Sequence, residues 1–395
     1  MFTPFRGLPS VVWTLFAGTV VNRLGYLVSP FLVFFLAARG VTGAETTYVL
    51  GALGAGNLIG PALGGLLADR VGRRATMLVG LTGAAAAQGL LFAAPGVATM
   101  AAAALLLSAA GATVSPAAYA LMADAVDARR RQRAYALFGW GVNLGTAAAG
   151  VLGGVLAAQG YWLLFAVDAA TLLVFAVIVA ATIPETRPEP TAEVAPGTGY
   201  GVVLGDRLLL ALLSLFGVQL FVYSLTEVAL PLAVHDSGLS PAVYGAMAAV
   251  NAVLVVLLQP LATSLLARLP QLPVQAAGSA LIAVGVALTG VADSVTGYAV
   301  SVVVWSLGEV AVAGIAAALV ANLAPADARG RYQGAFQGTW GVARFTALTA
   351  GVALYSTVGP AVLWWSALLA GTATAAATLA LRGRVERRAA LSLAA

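Results

Sequence analysis

The sequence predicts an all-α membrane protein: twelve transmembrane helices in two pseudo-symmetric six-helix bundles. Three observations carry that prediction. Of 395 residues, 61% are hydrophobic and only 9% charged, with a mean hydropathy of +0.95, a balance outside that of soluble globular chains. The apolar residues come in blocks long enough to cross a bilayer core of ~30 Å, which needs ~20 residues of helix. The second half of the chain also repeats landmarks of the first at a shift of 200 residues.

The elements follow in order. Residues 10–38 form the first apolar block, preceded by Arg6; it is much longer than a secretory signal core and reads as an uncleaved first helix. Residues 46–68, 75–94, 97–122, 134–158 and 161–183 complete a first half. Between residues 184 and 206 the chain turns polar, with Pro184, Pro188, Pro190 and Pro196 among Glu185, Glu189 and Glu193. That composition reads as a flexible cytoplasmic linker. Residues 207–234, 242–267, 272–292, 295–322, 333–357 and 360–381 supply six further helices. The domains are therefore 1–183, a linker 184–206, and 207–395. The blocks lack the alternation of a barrel strand, and open sheets are excluded at this depth because their backbone groups would go unpaired.

Orientation comes from the arginines, which make up all 20 basic residues. With the N-terminus inside, seventeen fall in cytoplasmic segments, Arg39 alone lies in an outer loop, and Arg23 and Arg344 lie within helices. Both termini are thus expected in the cytoplasm of a multi-pass plasma (cytoplasmic) membrane protein. The formal charge of +5 follows from this loop bias and calls for no nucleic acid. The internal repeat supports the division into halves: Asp127-Ala128-Arg129-Arg130-Arg131 returns as Asp327-Ala328-Arg329-Gly330-Arg331, and Trp140-Gly141-Val142 as Trp340-Gly341-Val342.

Several chemistries are excluded. No Lys occurs, so no Walker A loop can hold ATP. No Cys and a single His, His235, leave no nucleophilic or metal-centred enzyme within reach. No cofactor is expected, and an ion gradient or simple equilibration remains as the driving force.

Gly65-Leu66-Leu67-Ala68-Asp69-Arg70-Val71-Gly72-Arg73-Arg74 sits between the second and third apolar blocks. It resembles the G-x-L-A-D-R-x-G-R-R loop of the major facilitator superfamily, and every defined position matches. The resemblance implies a transporter in which Asp69 latches the halves on the cytoplasmic side near a helix start, where a carboxylate meets the positive end of the dipole. Arg73 and Asp124 are the partners expected for it. The fifth block is similar to the G-x-x-x-G-P-x-x-G-G helix of drug exporters in that family. Gly145, Gly150, Gly153 and Gly154 stand at its positions, Gly150 where the proline belongs. Small residues there let helices approach and slide. The fourth-helix Arg common among those antiporters is absent, since no basic residue occurs between Ala75 and Ala128.

Ionisable groups inside helices are costly, at ~2.5–3.5 kcal/mol or more, and normally face a cavity or a partner. Arg23, Glu227, Glu309, Arg344 and Asp168 are the candidates for proton coupling. Burial and a neighbouring Arg pull a carboxylate in opposite directions, the competition that a proton carrier needs. Helices one, four, seven and ten line the cavity in the family, which favours Glu227 and Glu309; Asp168, in the sixth, reads as structural. Glu309 and Arg344 lie at similar depth, so a pair between them is expected. Asn22, Tyr26, Phe34, Gln219, Tyr223, Asn251, Trp305 and Phe345 are the candidate cavity residues, an amphipathic set suited to bulky apolar compounds. Trp140 and Trp340 are expected as interface anchors. The reading is a monomeric, proton-coupled antiporter for efflux of small amphipathic molecules. The alternatives are a proton-coupled nutrient importer and a non-transporting receptor or scaffold on the same fold.

Overall fold

The computed structural model describes residues 5–187 and 199–394, and among them every regular element is helical. Helices α1 (Ser10–Leu24) and α2 (Val28–Ala38) make the first span, followed by α3 (Ala44–Arg70), α4 (Arg73–Ala93), α5 (Val97–Ala125), α6 (Ala128–Gln159) and α7 (Tyr161–Thr182). A single turn, α8 (Gly201–Leu204), precedes α9 (Arg207–Val228) and α10 (Leu230–Asp236), which share the seventh span. Then come α11 (Pro241–Leu266), α12 (Gln271–Leu288), α13 (Val295–Val312) with α14 (Ile315–Leu323), α15 (Arg329–Thr346), α16 (Pro360–Ala380) and a terminal α17 (Arg382–Ala394).

Nine helical stretches among the described residues are long and apolar enough to cross a membrane. The first, fifth and eleventh predicted spans fall outside that set. The first is broken, part of the apolar stretch of α6 lies outside the described residues, and α15 carries three arginines before passing into π-helical turns, Ala347–Gly351 and Leu354–Val358.

The first span was expected to be one continuous helix. It breaks at Gly25–Leu27 because the new helix start finds a cap: Asp168 of α7 accepts from the N–H groups of Leu27 at 3.3 Å and Val28 at 3.2 Å. Free N–H groups at a helix start need such partners, in lipid above all. The tenth span breaks at Gly314, whose φ of +73° is left-handed and costs glycine least. A Cβ there would lie 2.5 Å from the Gln132 carbonyl oxygen, so this break also lets α6 approach.

Lipid is as apolar as leucine, so helix pairs in a membrane hold by close contact rather than by hydrophobic burial. Helix α3 shows how: Gly60 and Gly64 press on α5, and a Cβ on either would stand 2.5 Å from backbone oxygens of Ala109 and Thr113. Helices α1 to α7 pack among themselves, as do α9 to α16, and the two groups meet where α15 lies on α3 and α5 and where α6 lies on α11 and α14.

Candidate functional site

The turn between α3 and α4 builds the joint between the groups. Gly72, at φ +122°, reverses the chain so that Asp69 and Arg73 stand one helical turn apart, 3.1 Å from Oδ1 to Nη1. The Asp69 side chain is 2% exposed. It accepts from the N–H of Gly330 at 2.8 Å, the N–H of Arg331 at 2.9 Å and Nε of Arg331 at 2.9 Å. Gly330 and Arg331 form the first turn of α15, where free N–H groups and the helix dipole favour an anion. Arg73 continues the chain to Asp124 at 3.1 Å, and Asp124 to Arg329 at 2.6 Å.

Asp69 thus bonds across the seam to the first turn of α15, with partners that differ in part from those expected. Asp124 does not meet Asp69; it binds Arg73 and Arg329, and the partner across the seam is Arg331. Sequence reasoning missed Arg329, Arg331 and Arg131, although the Asp-Ala-Arg repeat flagged all three positions. Arg131 reaches Oδ1 of Asn322 at 2.7 Å and the Ala321 carbonyl at 3.2 Å. Arg70 is exposed, and Arg74 turns to the Ala180 carbonyl at 2.6 Å.

Deeper in the seam, Nε1 of Trp140 donates to the Val256 carbonyl at 3.1 Å, and its ring stacks on Phe5 and Phe16. Trp140 is buried, not an interface anchor, because the indole is wanted inside the joint. Gly145 packs against α1, where a Cβ would lie 2.9 Å from the Val20 carbonyl oxygen. Helix α6 runs through Gly150, Gly153 and Gly154, whose surroundings lie outside the described residues.

At mid-helix the charges differ from expectation. Arg344 pairs with Glu227 at 2.7 Å, and the side chains are 67% and 42% exposed. Glu309 makes no ion pair with an arginine among the described residues. Its Oε1 accepts from the Tyr223 hydroxyl at 3.0 Å and its Oε2 from Nδ2 of Asn251 at 2.8 Å. The expected Glu309–Arg344 pair is thus replaced, because α15 packs against α9, which carries Glu227, whereas Glu309 of α13 turns to α11. The Tyr223 ring meets Trp305 and Trp340 edge-on, each at 5.9 Å between centroids. Trp305 is buried and Trp340 partly exposed.

Gln219 leaves the cavity set. It is buried inside its bundle, bonded to Thr378 at 3.2 Å, Ser279 at 2.8 Å and Gln275 at 3.1 Å. Arg23 lies 5.1 Å over the Tyr26 ring and makes no ion pair with a described residue. Asn22 is half-buried, while Tyr26, Phe34 and Phe345 are exposed. Asp168 caps α2, in keeping with a structural role.

The side-chain hydrogen bonds that join the two groups at Gln132, Arg131, Trp140, Arg329 and Asp69 lie in the arginine-rich half of the helices. The Glu227–Arg344 pair lies beyond it and is not enclosed by protein. Among the described residues, the bonds that hold the two groups together are thus concentrated at the arginine-rich end.

A sequence model described as the Major Facilitator Superfamily matches residues 15–348 and 218–392. No curated protein matches the chain in sequence. In structure it is similar to the human organic anion transporter MFSD10 (TETRAN), with 18% identity and a TM-score of 0.75 over 93% of this chain and 98% of that one. It is similar also to a bacterial homologue of the iron transporter ferroportin in its outward-facing state, with 16% identity and a TM-score of 0.79 over 94% and 99% of the two chains. At such identities the likeness is one of fold.

Proposed function

Because the chain belongs to the Major Facilitator Superfamily, and so is a membrane transporter and not an enzyme, we propose that it exports small amphipathic compounds in exchange for protons by alternating access. The halves 1–183 and 207–395 rock about the seam. The arginine-rich end faces the cytoplasm by the positive-inside rule, so the state described is closed to the cytoplasm and open outward. The protein works as a monomer in the plasma membrane and needs no cofactor.

One observation carries the coupling. Glu309 is a half-buried carboxylate at mid-span held only by the neutral donors Tyr223 and Asn251. A proton taken up there strands no charge. A proton on Glu227 would leave Arg344 without its partner 2.7 Å away. Glu309 is therefore the carrier, loaded from the outward-open cavity and unloaded when the cytoplasmic end opens. Glu227 and Arg344 keep each other charged and respond to substrate. The aromatic surface of Tyr26, Phe34, Trp340 and Phe345 offers apolar contact with few fixed hydrogen bonds, which suits amphipathic molecules better than sugars.

Inverted membrane vesicles with an imposed proton gradient and a panel of amphipathic compounds test the reading. Uptake that follows the gradient and collapses with a protonophore is expected. Transport indifferent to the gradient refutes the coupling.

A further inference from the structure

The segment between the halves reads from its composition as a spacer, yet both of its described ends are bound into the latch. At the first end, Glu185 caps α4: its carboxylate accepts from the N–H of Arg74 at 3.1 Å and of Ala75 at 2.9 Å. Gly72, at the cap position of α4, has no side chain to do this. The N–H of Arg73 itself donates to the Thr186 carbonyl at 3.1 Å.

At the second end, Gly199 and Tyr200 enter the crossing of α3 and α15. The Gly199 carbonyl accepts from Nη1 of Arg331 at 2.8 Å, and the Tyr200 hydroxyl donates to the Ala62 carbonyl at 2.8 Å. Two glycines, one from each half, leave room for that hydroxyl. A Cβ on Gly65 would stand 2.7 Å from it, and one on Gly334 2.5 Å. Gly65 belongs to the motif loop and Gly334 to α15, so the hydroxyl occupies a niche that exists only while the two helices cross at this point.

We propose that Tyr200 and Glu185 are positioning residues of the latch: with them the described ends of the connecting segment, 185–187 and 199–200, act as a strap on the closed seam, and Tyr200 is the wedge seated between Gly65 and Gly334. Each end grips one of the latch arginines through its backbone or its guanidinium, Arg73 on one side and Arg331 on the other. The strap therefore steadies the two groups that hold Asp69. When α15 swings away from α3, the niche divides and the hydroxyl loses its acceptor. The wedge thus adds to the stability of the closed state alone. The proposal rests on alternating access but not on coupling, substrate or direction of transport.

Because the chain has no cysteine, single cysteines report on each end without background. Leu58→Cys marks the seam beside Gly341, and Tyr26→Cys marks the exposed break of the first span, which the proposed function assigns to the cavity. Each is labelled in membranes by a water-soluble maleimide, alone and combined with Tyr200→Phe, Tyr200→Ala or Asp69→Asn. Tyr200→Phe removes one hydrogen bond and keeps the ring; it is expected to speed labelling at Leu58→Cys by about fivefold, the weight of one such bond, and to slow it at Tyr26→Cys. Tyr200→Ala moves both rates further in the same directions. If Asp69→Asn shifts the two rates in opposite senses and neither Tyr200 variant does, the strap is refuted while alternation stands. If no variant shifts them, both fail. A loss of transport with both rates unchanged also overturns the proposal, since a mere spacer would give that result.

Discussion

Asp69→Asn is the sharpest test of the latch. Three of the four bonds to this carboxylate cross the seam, from the N–H groups of Gly330 and Arg331 and from Nε of Arg331; the fourth comes from Arg73 of its own half. An amide at this position keeps one oxygen and turns an NH2 group towards donors at 2.8–2.9 Å. Removing one partner of a buried ion pair costs about 3–5 kcal/mol. The retained oxygen puts the substitution near the lower figure, about 3 kcal/mol. Since opening the cytoplasmic end breaks the three bonds across the seam, the cost falls mainly on the closed state. At tenfold per 1.4 kcal/mol, the ratio of closed to open falls roughly a hundredfold. The assay compares transport in vesicles with equilibrium binding in detergent. Transport should fall by more than about tenfold, while binding stays within about threefold, because Asp69 lies at the arginine-rich end and away from the Glu309 cluster. Loss of binding by the same factor as transport would refute the latch reading.

Other outcomes follow from the same geometry. Glu309→Gln should abolish gradient-driven transport and preserve substrate counterflow, which moves no net proton; if Glu309→Gln, Glu227→Gln and the double variant all keep full proton-driven transport, neither carboxylate carries the proton. Cysteines placed at positions 39 and 236 should react with reagent added from outside cells, while those at 130 and 386 should not, and external labelling at 130 would overturn the orientation. Burial alone would raise the Asp206 carboxyl, but Arg388, the N–H of Leu209 and the Tyr332 hydroxyl outweigh it and hold it below the usual carboxylate range. With a depressed folded value, the docking of α17 through Arg388, 2.7 Å away, is fully present above the ordinary pKa of about 3.9 and lost as the pH falls through the lower one. The protection of the α17 amides, taken as the intrinsic exchange rate at each pH relative to the observed rate, should thus be flat from neutral pH down to about 5 and fall steeply below 4; Asp206→Asn should show low protection already at neutral pH, and high protection there would refute the link.

The fold was legible because its causes are local: a run of apolar residues has to lie in lipid, and arginines beside it have to stay out. The breaks were not legible, because their causes are tertiary. Nothing near Gly25 announces that Asp168, about 140 residues away, will cap a new helix there. The candidate cavity set failed at Gln219 for a reason of register. Residues four apart on a helix advance by about 40° around it, so the stripe Gln219, Tyr223, Glu227 drifts from the bundle interior to the cavity wall. The last two reach the site and the first does not. The Glu309–Arg344 expectation failed because equal depth fixes only one of the two coordinates that bring side chains together.

The repeat explains which parts should be symmetric and which should not. Arg131 and Arg331 occupy equivalent positions, and both bond across the seam. Trp140 and Trp340 are equivalent too but have parted, one buried in the joint and the other beside Tyr223. The ionisable groups at mid-span have no counterparts at all: at a shift of 200, Glu227, Glu309 and Arg344 meet Leu27, Ala109 and Leu144, and Arg23 meets Tyr223. The repeat thus covers the helices of the seam, while each ionisable group at mid-span belongs to one half only. A gradient can drive such a carrier only through a group whose protonation differs between its two open states. Arg23 cannot lose its proton in a protein, so the first half offers a fixed positive field. With Asp168 of the first half engaged as the cap of α2, the coupling proposed above puts the change of charge on the second half, at Glu309 with its neutral partners Tyr223 and Asn251.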